Sequence, residues 1–449
     1  MAGDDIPVTI LSGSLGAGKT TLLNHLLDTA GDRDIAVLVN DMGEINVDAE
    51  LVSGRSASAA GSVTELSNGC ICCELRGDLD RAVMRLARER DFDHLVVEAS
   101  GISEPAPIAK LFTRGNASAR YVVDSVVTVV DARQFHDAFG GEGRVERRGA
   151  ADGETKPLSD LLVEQVEVAN VVVLNKTDLV SDSERETVED LIRGLGPDAE
   201  IRPTSYSAVD PDLVLGRYLY DPAQAAEAAG WRQVLRESKE SEVDGDAHGH
   251  ADHEGDAHES HGHGAEHASA DGDDHESNAH EHSDHDHAHD GHSHPQEAYG
   301  VTSFAYRRRR PFHPRVADLL ADLSDEVVRS KGTLWVAGNE SVLTFGQAGP
   351  SAHVECAGPW VATRPEFEQD AYRRNRRDLD WDDEWGDRRT ELVFIGTEVD
   401  EAELVERLDD CLLAADEFAD YDPDGGWSDD PFPTEQGERV VLAEPTPGE

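Results

Sequence analysis

Gly13-Ser-Leu-Gly-Ala-Gly-Lys-Thr20 is the stretch of sequence that decides the fold. It matches G-x-x-x-x-G-K-[ST], the pattern of a loop that binds phosphate groups. Apolar residues 6–11 before it predict a short buried strand, and residues 20–27 after it have helical apolar spacing. In such a strand, loop and helix, backbone N–H groups and the helix N-terminus face one anion. We therefore predict phosphate contacts from Gly13, Ser14, Leu15, Gly16, Ala17, Gly18, Lys19, Thr20 and Thr21.

Two side chains of this loop have predicted catalytic roles, and a second motif identifies the nucleotide. Lys19 is expected to reach the β- and γ-phosphates, and Thr20 to offer its hydroxyl to Mg²⁺. Asn175-Lys-Thr-Asp178 fits N-K-x-D and ends a buried apolar strand. Its aspartate can accept both the ring N–H and the exocyclic amine of guanine, whereas adenine lacks that pair of donors. Asn175, Lys176 and Asp178 therefore predict that the nucleotide is GTP.

Strand and helix patterns alternate from the phosphate-binding loop to about residue 204. Repeated βα units predict a doubly wound α/β fold with a mostly parallel sheet, which binds ligands at the carboxyl ends of its strands. Glu98 and Gly101 come at the end of one such strand. Glu98 is predicted to act beside Mg²⁺, and the N–H of Gly101 to sense the γ-phosphate. A solvated surface carboxylate is the alternative interpretation of Glu98.

The composition restricts the classes of partner. The chain has 449 residues and a formal net charge of −53, so we expect no nucleic-acid partner, because a polyanion would be repelled. The acidic excess is spread along the chain, as in halophilic proteins. No apolar run reaches the roughly 18 residues of a membrane span, so we expect no membrane partner, and we expect no signal peptide because the first thirty residues enter the phosphate-binding loop directly. Five cysteines without a disulfide framework favour a reducing, cytoplasmic location.

Composition also divides the chain into four parts. Residues 1–235 are predicted to form a P-loop domain, and residues 299–417 a small α+β domain with one sheet and two helices. Between them, residues 236–298 contain fifteen of the twenty histidines and almost no apolar residues, which predicts a disordered acidic linker. Residues 418–449 are acidic and rich in Pro and Gly, and they are predicted to be a flexible tail.

Cys70-Ile-Cys-Cys73 places three thiols within four residues. Thiolates suit Zn²⁺, Co²⁺ or Cu⁺, and three sulfurs leave a fourth tetrahedral position for another ligand. We predict a transition-metal site at Cys70, Cys72 and Cys73, the alternatives being a vicinal redox pair or inert buried thiols. Cys356 and Cys411 fall in strand and helix patterns and are predicted to be core residues. The His-x-His repeats of the linker predict a metal reservoir, and a merely solvated acidic linker is the alternative.

The chain resembles the CobW family of P-loop GTPase metallochaperones, and its last stretch is most similar to the subgroup associated with zinc limitation. The resemblance extends over almost the whole predicted ordered chain. It rests on GSLGAGKTTLLNHLL (13–27), NDMGEINVD (40–48), ELSNGCICC (65–73), VVEASGISEPAPI (96–108), NKTDLV (175–180), RRPFHPRVADLL (309–320) and GDRRTELVFIG (386–396).

The resemblance implies a GTPase that passes a metal to a client metalloprotein. Cys70, Cys72 and Cys73 match the family's metal motif, and Glu44 matches a switch-loop glutamate that can join them. Asp41, where the family more often has Glu, is not relied on as a ligand. Zinc is the expected metal, with a cobalt chaperone for cobalamin synthesis as an alternative.

Two further functions fit the same residues. One is a metal buffer that uses the His-rich tract, and the other is a redox sensor in which Cys72 and Cys73 form a disulfide. The residues leave the oligomeric state open, a homodimer included.

Overall fold

The computed structural model describes residues 5–39, 63–65, 76–139, 157–225, 229–236, 238, 301–376, 379–414 and 430–444. Glu44, Cys70, Cys72 and Cys73 lie outside the described residues, as does the predicted linker from residue 239 to its end at 298.

The first domain is built on a seven-stranded parallel sheet with the strand order β3-β2-β4-β1-β5-β6-β7. Its strands are β1 (Ile6–Gly13), β2 (Ile35–Val39), β3 (Val63–Glu65), β4 (His94–Glu98), β5 (Tyr121–Asp131), β6 (Val171–Asn175) and β7 (Glu200–Pro203). Its helices are α1 (Lys19–Thr29), α2 (Arg76–Glu89), α3 (Ala106–Arg114), α4 (Ala132–Phe139), α5 (Leu158–Glu167) and α6 (Asp182–Leu195). Every residue of β2, β4 and β6 is buried, as expected of strands covered on both faces. The predicted doubly wound fold is confirmed.

The second domain is a six-stranded antiparallel sheet with the order β13-β11-β10-β9-β12-β8. Its strands are β8 (Val301–Arg308), β9 (Val327–Leu334), β10 (Ser341–Ala348), β11 (Ser351–Pro359), β12 (Thr390–Thr397) and β13 (Arg439–Ala443). Its helices are α7 (Val316–Ala321), α8 (Glu366–Asn375) and α9 (Glu401–Asp409). The predicted α+β class is confirmed, although the described part has three helices where the sequence predicted two.

The prediction of a flexible tail from residue 418 was wrong for residues 430–444. Residues 439–443 form β13, which pairs with β11 from Ala352↔Ala443 to Glu355↔Arg439. Phe432 is buried in the core of the second domain. The short apolar run of β13 can form a strand because β11 offers it an unpaired edge, a fact that the acidic local composition hides.

The two domains share one hydrophobic core. The first domain contributes buried residues of α4, α5 and α6 to this core, and the second contributes Val301, Val328, Ala348, Val393 and Ile395. Gly194 on α6 marks a close approach, since a Cβ built there would lie only 2.8 Å from Cγ1 of Val301. The domains are therefore packed against each other as tightly as the interior of one domain.

A buried ion pair crosses the same interface. Arg329 on β9 donates from Nε to Oε1 of Glu167 on α5 at 2.8 Å, and from Nη2 to Oε2 at 3.2 Å. The two side chains are 2% and 7% exposed. This bidentate geometry fixes the orientation of β9 relative to α5, because a buried charge must keep its partner.

A second buried polar network joins three strands of the first sheet. Nε2 of His94 lies 2.8 Å from Oγ1 of Thr9, which donates to Oδ2 of Asp124 at 3.0 Å. Asp124 also accepts from the backbone N–H of Gly216 at 2.9 Å. Burial lowers the pKa of His94 to about 4, against the raising effect of Asp124. The histidine is therefore neutral in the folded protein at pH 7.

Candidate functional site

The phosphate-binding loop has the backbone that its glycines were predicted to provide. Gly13, Gly16 and Gly18 have φ values of 138°, 77° and 114°, in the region that only glycine adopts without strain. A Cβ at Gly13 would lie 2.3 Å from the carbonyl oxygen of Val129, and one at Gly18 would lie 2.4 Å from Nδ2 of Asn175. The loop therefore has no room for side chains at these two positions.

Lys19 is the first residue of α1, and its side chain reaches back over the phosphate-binding loop. Its Nζ donates to the carbonyl oxygens of Gly13 at 2.9 Å and Ser14 at 3.1 Å, and the residue is only 8% exposed. Gly101 approaches the same point, because a Cβ built there would lie 2.8 Å from the backbone nitrogen of Leu15 and 3.2 Å from Nζ of Lys19. The structure thus brings the end of β4 against the phosphate-binding loop, as the sequence predicted.

The predicted magnesium ligands face each other. Thr20 donates from Oγ1 to Oε1 of Glu98 at 3.0 Å, and Glu98 is 3% exposed at the end of β4. A hydroxyl and a carboxylate are the hard oxygen donors that Mg²⁺ prefers, so these two residues fit the ion. The alternative of a solvated surface carboxylate at Glu98 was wrong, because β4 is buried along its whole length.

Asn175 joins the guanine motif to the phosphate-binding loop. Its Nδ2 donates to the carbonyl oxygen of Ala17 at 2.8 Å, and its Oδ1 accepts from the backbone N–H of Ser207 at 2.8 Å. Asp178 is exposed in the short 3₁₀ turn Thr177–Leu179, where its carboxylate is accessible to a ligand. Leu15, Gly16 and Thr21, which are also predicted to contact phosphate, are exposed.

Three residues that contact this site were not predicted from the sequence. Asp131 accepts from Nζ of Lys176 at 2.7 Å, and Gln134 accepts from Oγ of Ser14 at 2.5 Å. Ser207 donates from Oγ to the carbonyl oxygen of Gly18 at 3.1 Å. An acidic residue at the end of β5 was a usable signal for Asp131, because Glu98 and Asn175 hold the same position on β4 and β6. Nothing in the local sequence around Gln134 or Ser207 indicated either contact.

The predicted metal residues Glu44, Cys70, Cys72 and Cys73 fall in the gaps between the described ranges, so the fold fixes no geometry for them. Among the described residues, no group of three or more His, Cys, Asp and Glu side chains could hold a metal ion. Cys356 is buried in the second domain, as predicted, and Cys411 is partly buried against the same core.

Comparison with known families gives two matches that follow the domain division. Residues 7–203 match the family described as CobW/HypB/UreG, nucleotide-binding domain. Residues 301–412 match the cobalamin synthesis protein cobW C-terminal domain. The second match ends before the strand β13 and its preceding residues 430–438.

Similar proteins are known from eukaryotes and bacteria. Zinc-regulated GTPase metalloprotein activator 1 of Dictyostelium discoideum is 33% identical over 434 residues, which covers 91% of this chain and 80% of that protein. The zinc chaperone CobW of Pseudomonas aeruginosa is 39% identical over 184 residues, and the alignment covers 38% of this chain and 49% of that protein.

Among solved structures, the chain is similar to the Zn(II)-bound YjiA GTPase from E. coli, with which it is 18% identical. The alignment covers 91% of this chain and 99% of that one, with a TM-score of 0.36. In the described part of the present chain, no helix has the length and apolarity needed to cross a membrane.

Proposed function

The chain belongs to the CobW family of P-loop nucleotide-binding proteins, and from this premise we propose that it is a GTP-hydrolysing metallochaperone that carries zinc to a client metalloprotein. The observation that carries the proposal is the hydrogen bond from Asn175 to Ala17, which holds a guanine-type motif directly against the phosphate-binding loop. The names of its relatives, a zinc-regulated GTPase activator and a zinc chaperone, support zinc as the cargo.

In this proposal, each part of the site has a separate role. The loop backbone and Lys19 hold the phosphates, while Thr20 and Glu98 hold Mg²⁺, which supplies charge neutralisation at the phosphates. Asn175 and Lys176 set the loop that presents Asp178 to the guanine edge. The close approach of Gly101 to Lys19 supports a role for its N–H beside the terminal phosphate.

The metal-binding half of the proposal depends on residues about fifty positions after the phosphate-binding loop. Cys70, Cys72 and Cys73 bind the zinc, and Glu44 contributes when GTP is bound. Hydrolysis then loosens this site, so that the metal passes to the client. In this mechanism GTP raises the affinity for zinc, and zinc must then raise the affinity for GTP by the same factor.

The test is the zinc affinity of the full chain, measured by chelator competition with GDP and with a non-hydrolysable GTP analogue. We expect tighter zinc binding in the GTP state. Cys72→Ser should abolish that difference and, in the absence of zinc, leave GTP affinity close to the wild-type value. Equal zinc affinities in the two nucleotide states would refute the proposed mechanism. The same assay with Co²⁺ and Ni²⁺ identifies the preferred metal.

A zinc buffer is the second candidate, and the fifteen histidines between residues 236 and 298 favour it. Deletion of residues 244–294 separates the two functions. A buffer loses most of its zinc capacity and with it its function, whereas a metallochaperone keeps zinc-stimulated GTP hydrolysis. The number of zinc ions bound per chain and the GTPase rate, measured on the same sample, distinguish these outcomes.

A further inference from the structure

Helix α4 is the one described helix that contacts both nucleotide-binding loops and also enters the core shared with the second domain. It has eight residues, and so spans about 12 Å. Its first turn faces the phosphate-binding loop and the guanine motif, and its last turn is buried in the shared core. The contacts at its two ends determine whether a movement of the second domain can reach the nucleotide-binding loops.

At its first turn, α4 is tied to both nucleotide loops. Oδ1 of Asp131 accepts from the backbone N–H groups of Arg133 and Gln134, each at 3.1 Å, as a helix-capping residue does. Oδ2 of the same carboxylate accepts from Lys176, whose φ of 59° places it in the left-handed region. Gln134 bonds Ser14 in turn. One carboxylate therefore starts the helix and also holds a strained residue of the guanine motif.

At its last turn, α4 is packed against the second domain. Phe135 and Phe139 are buried in the shared core, with their ring centroids 4.8 Å apart. A Cβ built on Gly349, in the turn between β10 and β11, would lie 3.3 Å from Cε1 of Phe139. The Phe139 ring thus lies against a turn of the second domain, and moving the one requires moving the other.

A side link connects α4 to α6. Arg133 donates from Nη1 to Oε1 of Glu184 at 2.9 Å, and Glu184 completes the capping box that begins α6 with Ser181. Helix α6 packs against the second domain through Gly194. The two helices therefore form one packed unit between the nucleotide loops and the second domain.

We propose that Asp131 and Gln134 are positioning residues of the nucleotide site, and that the second domain controls nucleotide release through helix α4. This inference rests on the proposed guanine-nucleotide binding but not on metal transfer. A shift of the second domain against Phe139 moves the start of α4, and with it Lys176 and Ser14. By reciprocity, nucleotide binding must alter the same contact by an equal factor.

The test is the dissociation rate of a fluorescent methylanthraniloyl-GDP from the full chain, chased with excess GDP in a stopped-flow instrument. Phe139→Ala touches no residue of the nucleotide site, yet we expect it to speed release at least about fivefold, the lower end of typical couplings between sites. Phe139→Leu keeps much of the apolar volume, so it should release the labelled GDP at a rate close to that of the wild type. Phe345→Ala, in the separate core of the second domain, is the matched control and should stay within about twofold of the wild-type rate.

A second variant covers the case in which Phe139→Ala does not fold. Asp131→Asn keeps a good capping residue for α4 but removes the charge that holds Lys176. It should speed release by itself. Combined with Phe139→Val, a truncation milder than Phe139→Ala, it should add less than the product of the two separate effects. Independent, multiplying effects would overturn the inference, as would equal acceleration by Phe139→Ala and Phe345→Ala. Failure of the wild-type chain to bind the labelled GDP would instead refute the proposed function.

Discussion

At the scale of single residues, the structure depends on a few buried polar groups whose partners come from distant parts of the sequence. Glu167 and Arg329 are 162 positions apart, and Thr9 and Asp124 are 115 apart. Glu167 and Arg329 join the two domains, and Thr9 and Asp124 join two neighbouring strands of the first sheet. Removing one member therefore leaves a buried group without its partner, which costs more than the pair contributes.

Glu167→Gln tests the pair between the domains. It leaves the Arg329 charge buried beside a neutral group, so we expect the free energy of unfolding to fall by about 3–5 kcal/mol, measured with urea. Glu200→Gln is the control, because Glu200 pairs with Arg202 and Arg217 at a half-exposed position, where a loss below about 1 kcal/mol is expected. Replacing Glu167 and Arg329 together by Met should cost less than Glu167→Gln alone. A double replacement that costs more would contradict this account.

The pH dependence of stability tests His94. Its pKa is about 4 in the folded protein, below its ordinary value of 6.5, because burial disfavours the charged ring. Between these pH values the unfolded chain takes up a proton and the folded chain does not. The contribution of His94 to the free energy of unfolding is therefore complete above pH 6.5. It falls by about 3 kcal/mol in total as the pH falls toward 4.

His94→Gln should remove this part of the acid destabilisation. The measurement is the free energy of unfolding at several pH values from 7.5 to 4, wild type against variant. Asp124 and Arg33 exert the other charges on this ring and are left unchanged. His25→Gln on α1 controls for the loss of a histidine. Parallel pH profiles for the wild type and His94→Gln would show that the imidazole is not responsible.

The residues predicted for the nucleotide site could be named to the extent that each stands in a local pattern. Lys19 and Thr20 follow β1, Glu98 and Asn175 end β4 and β6, and the structure brings these four residues close to one loop. Gln134 was not predictable, because its only distinction is a contact with Ser14, 120 positions earlier. A role that depends on such a contact leaves no trace in the local spacing of residues.

At the scale of elements, helix boundaries depend on capping groups. Helix α6 begins with a complete capping box, in which the hydroxyl of Ser181 accepts from the backbone N–H of Glu184 and the Glu184 side chain accepts from the N–H of Ser181. This carboxylate has a pKa lowered to about 2, first through the backbone hydrogen bond with Ser181. The same carboxylate bonds Arg133 of α4, so the start of α6 is fixed from two sides.

Ser181→Ala should lower the free energy of unfolding by about 1 kcal/mol, because one N–H of the first turn loses its acceptor. Ser181→Gly should cost only a few tenths of a kcal/mol, since glycine is tolerated at the capping position. Ser183→Ala, in the same turn, is the control and should change stability by less than about 0.5 kcal/mol. Chemical denaturation of the three variants gives the comparison, and an equal loss for Ser181→Ala and Ser183→Ala would rule out the capping role.

The elements that the sequence misjudged have identifiable physical reasons. Helix α9 ends at Asp409, because the following backbone pairs with another segment: the N–H of Leu413 donates to the carbonyl oxygen of Pro311, and the N–H of His313 donates to that of Cys411. Helix α8 has no buried residue, so it lacks the apolar periodicity that reveals a helix. The end of α9 is thus set by tertiary contacts. Helix α8 is missed because it makes no buried contact that would leave an apolar pattern in the sequence.

At the scale of the whole molecule, two domains that composition separates are joined by one core. The sequence of β8 and β12 shows apolar residues but does not say which surface covers them. The shared core explains why Val301 is buried although it lies on the edge strand β8, and why Ile395 on the neighbouring β12 is fully buried. The linker composition predicts a boundary between the domains but gives no sign of this contact.

One cooperative unfolding transition is the expected consequence. Urea unfolding followed by far-ultraviolet circular dichroism and by the fluorescence of Trp231, Trp335 and Trp385 should give coincident midpoints, because neither domain can expose the shared core alone. Release of bound guanine nucleotide should follow the same curve. Two separated transitions would mean that the interface contributes little to stability.

The described residues on either side of the stretch 239–300 lie beside the same core. Trp231 and Leu235 pack against that core just before it, Val301 belongs to it just after, and Arg307 donates to the carbonyl oxygen of Leu235 across the gap. Peptide continuity is thus not what keeps the two halves together. A protease cut anywhere in this stretch should yield two polypeptides that travel as one particle, and each doubling of its length should cost only about 0.6 kcal/mol. Changes in the length and sequence of this segment should therefore have little effect on the stability of the two packed domains.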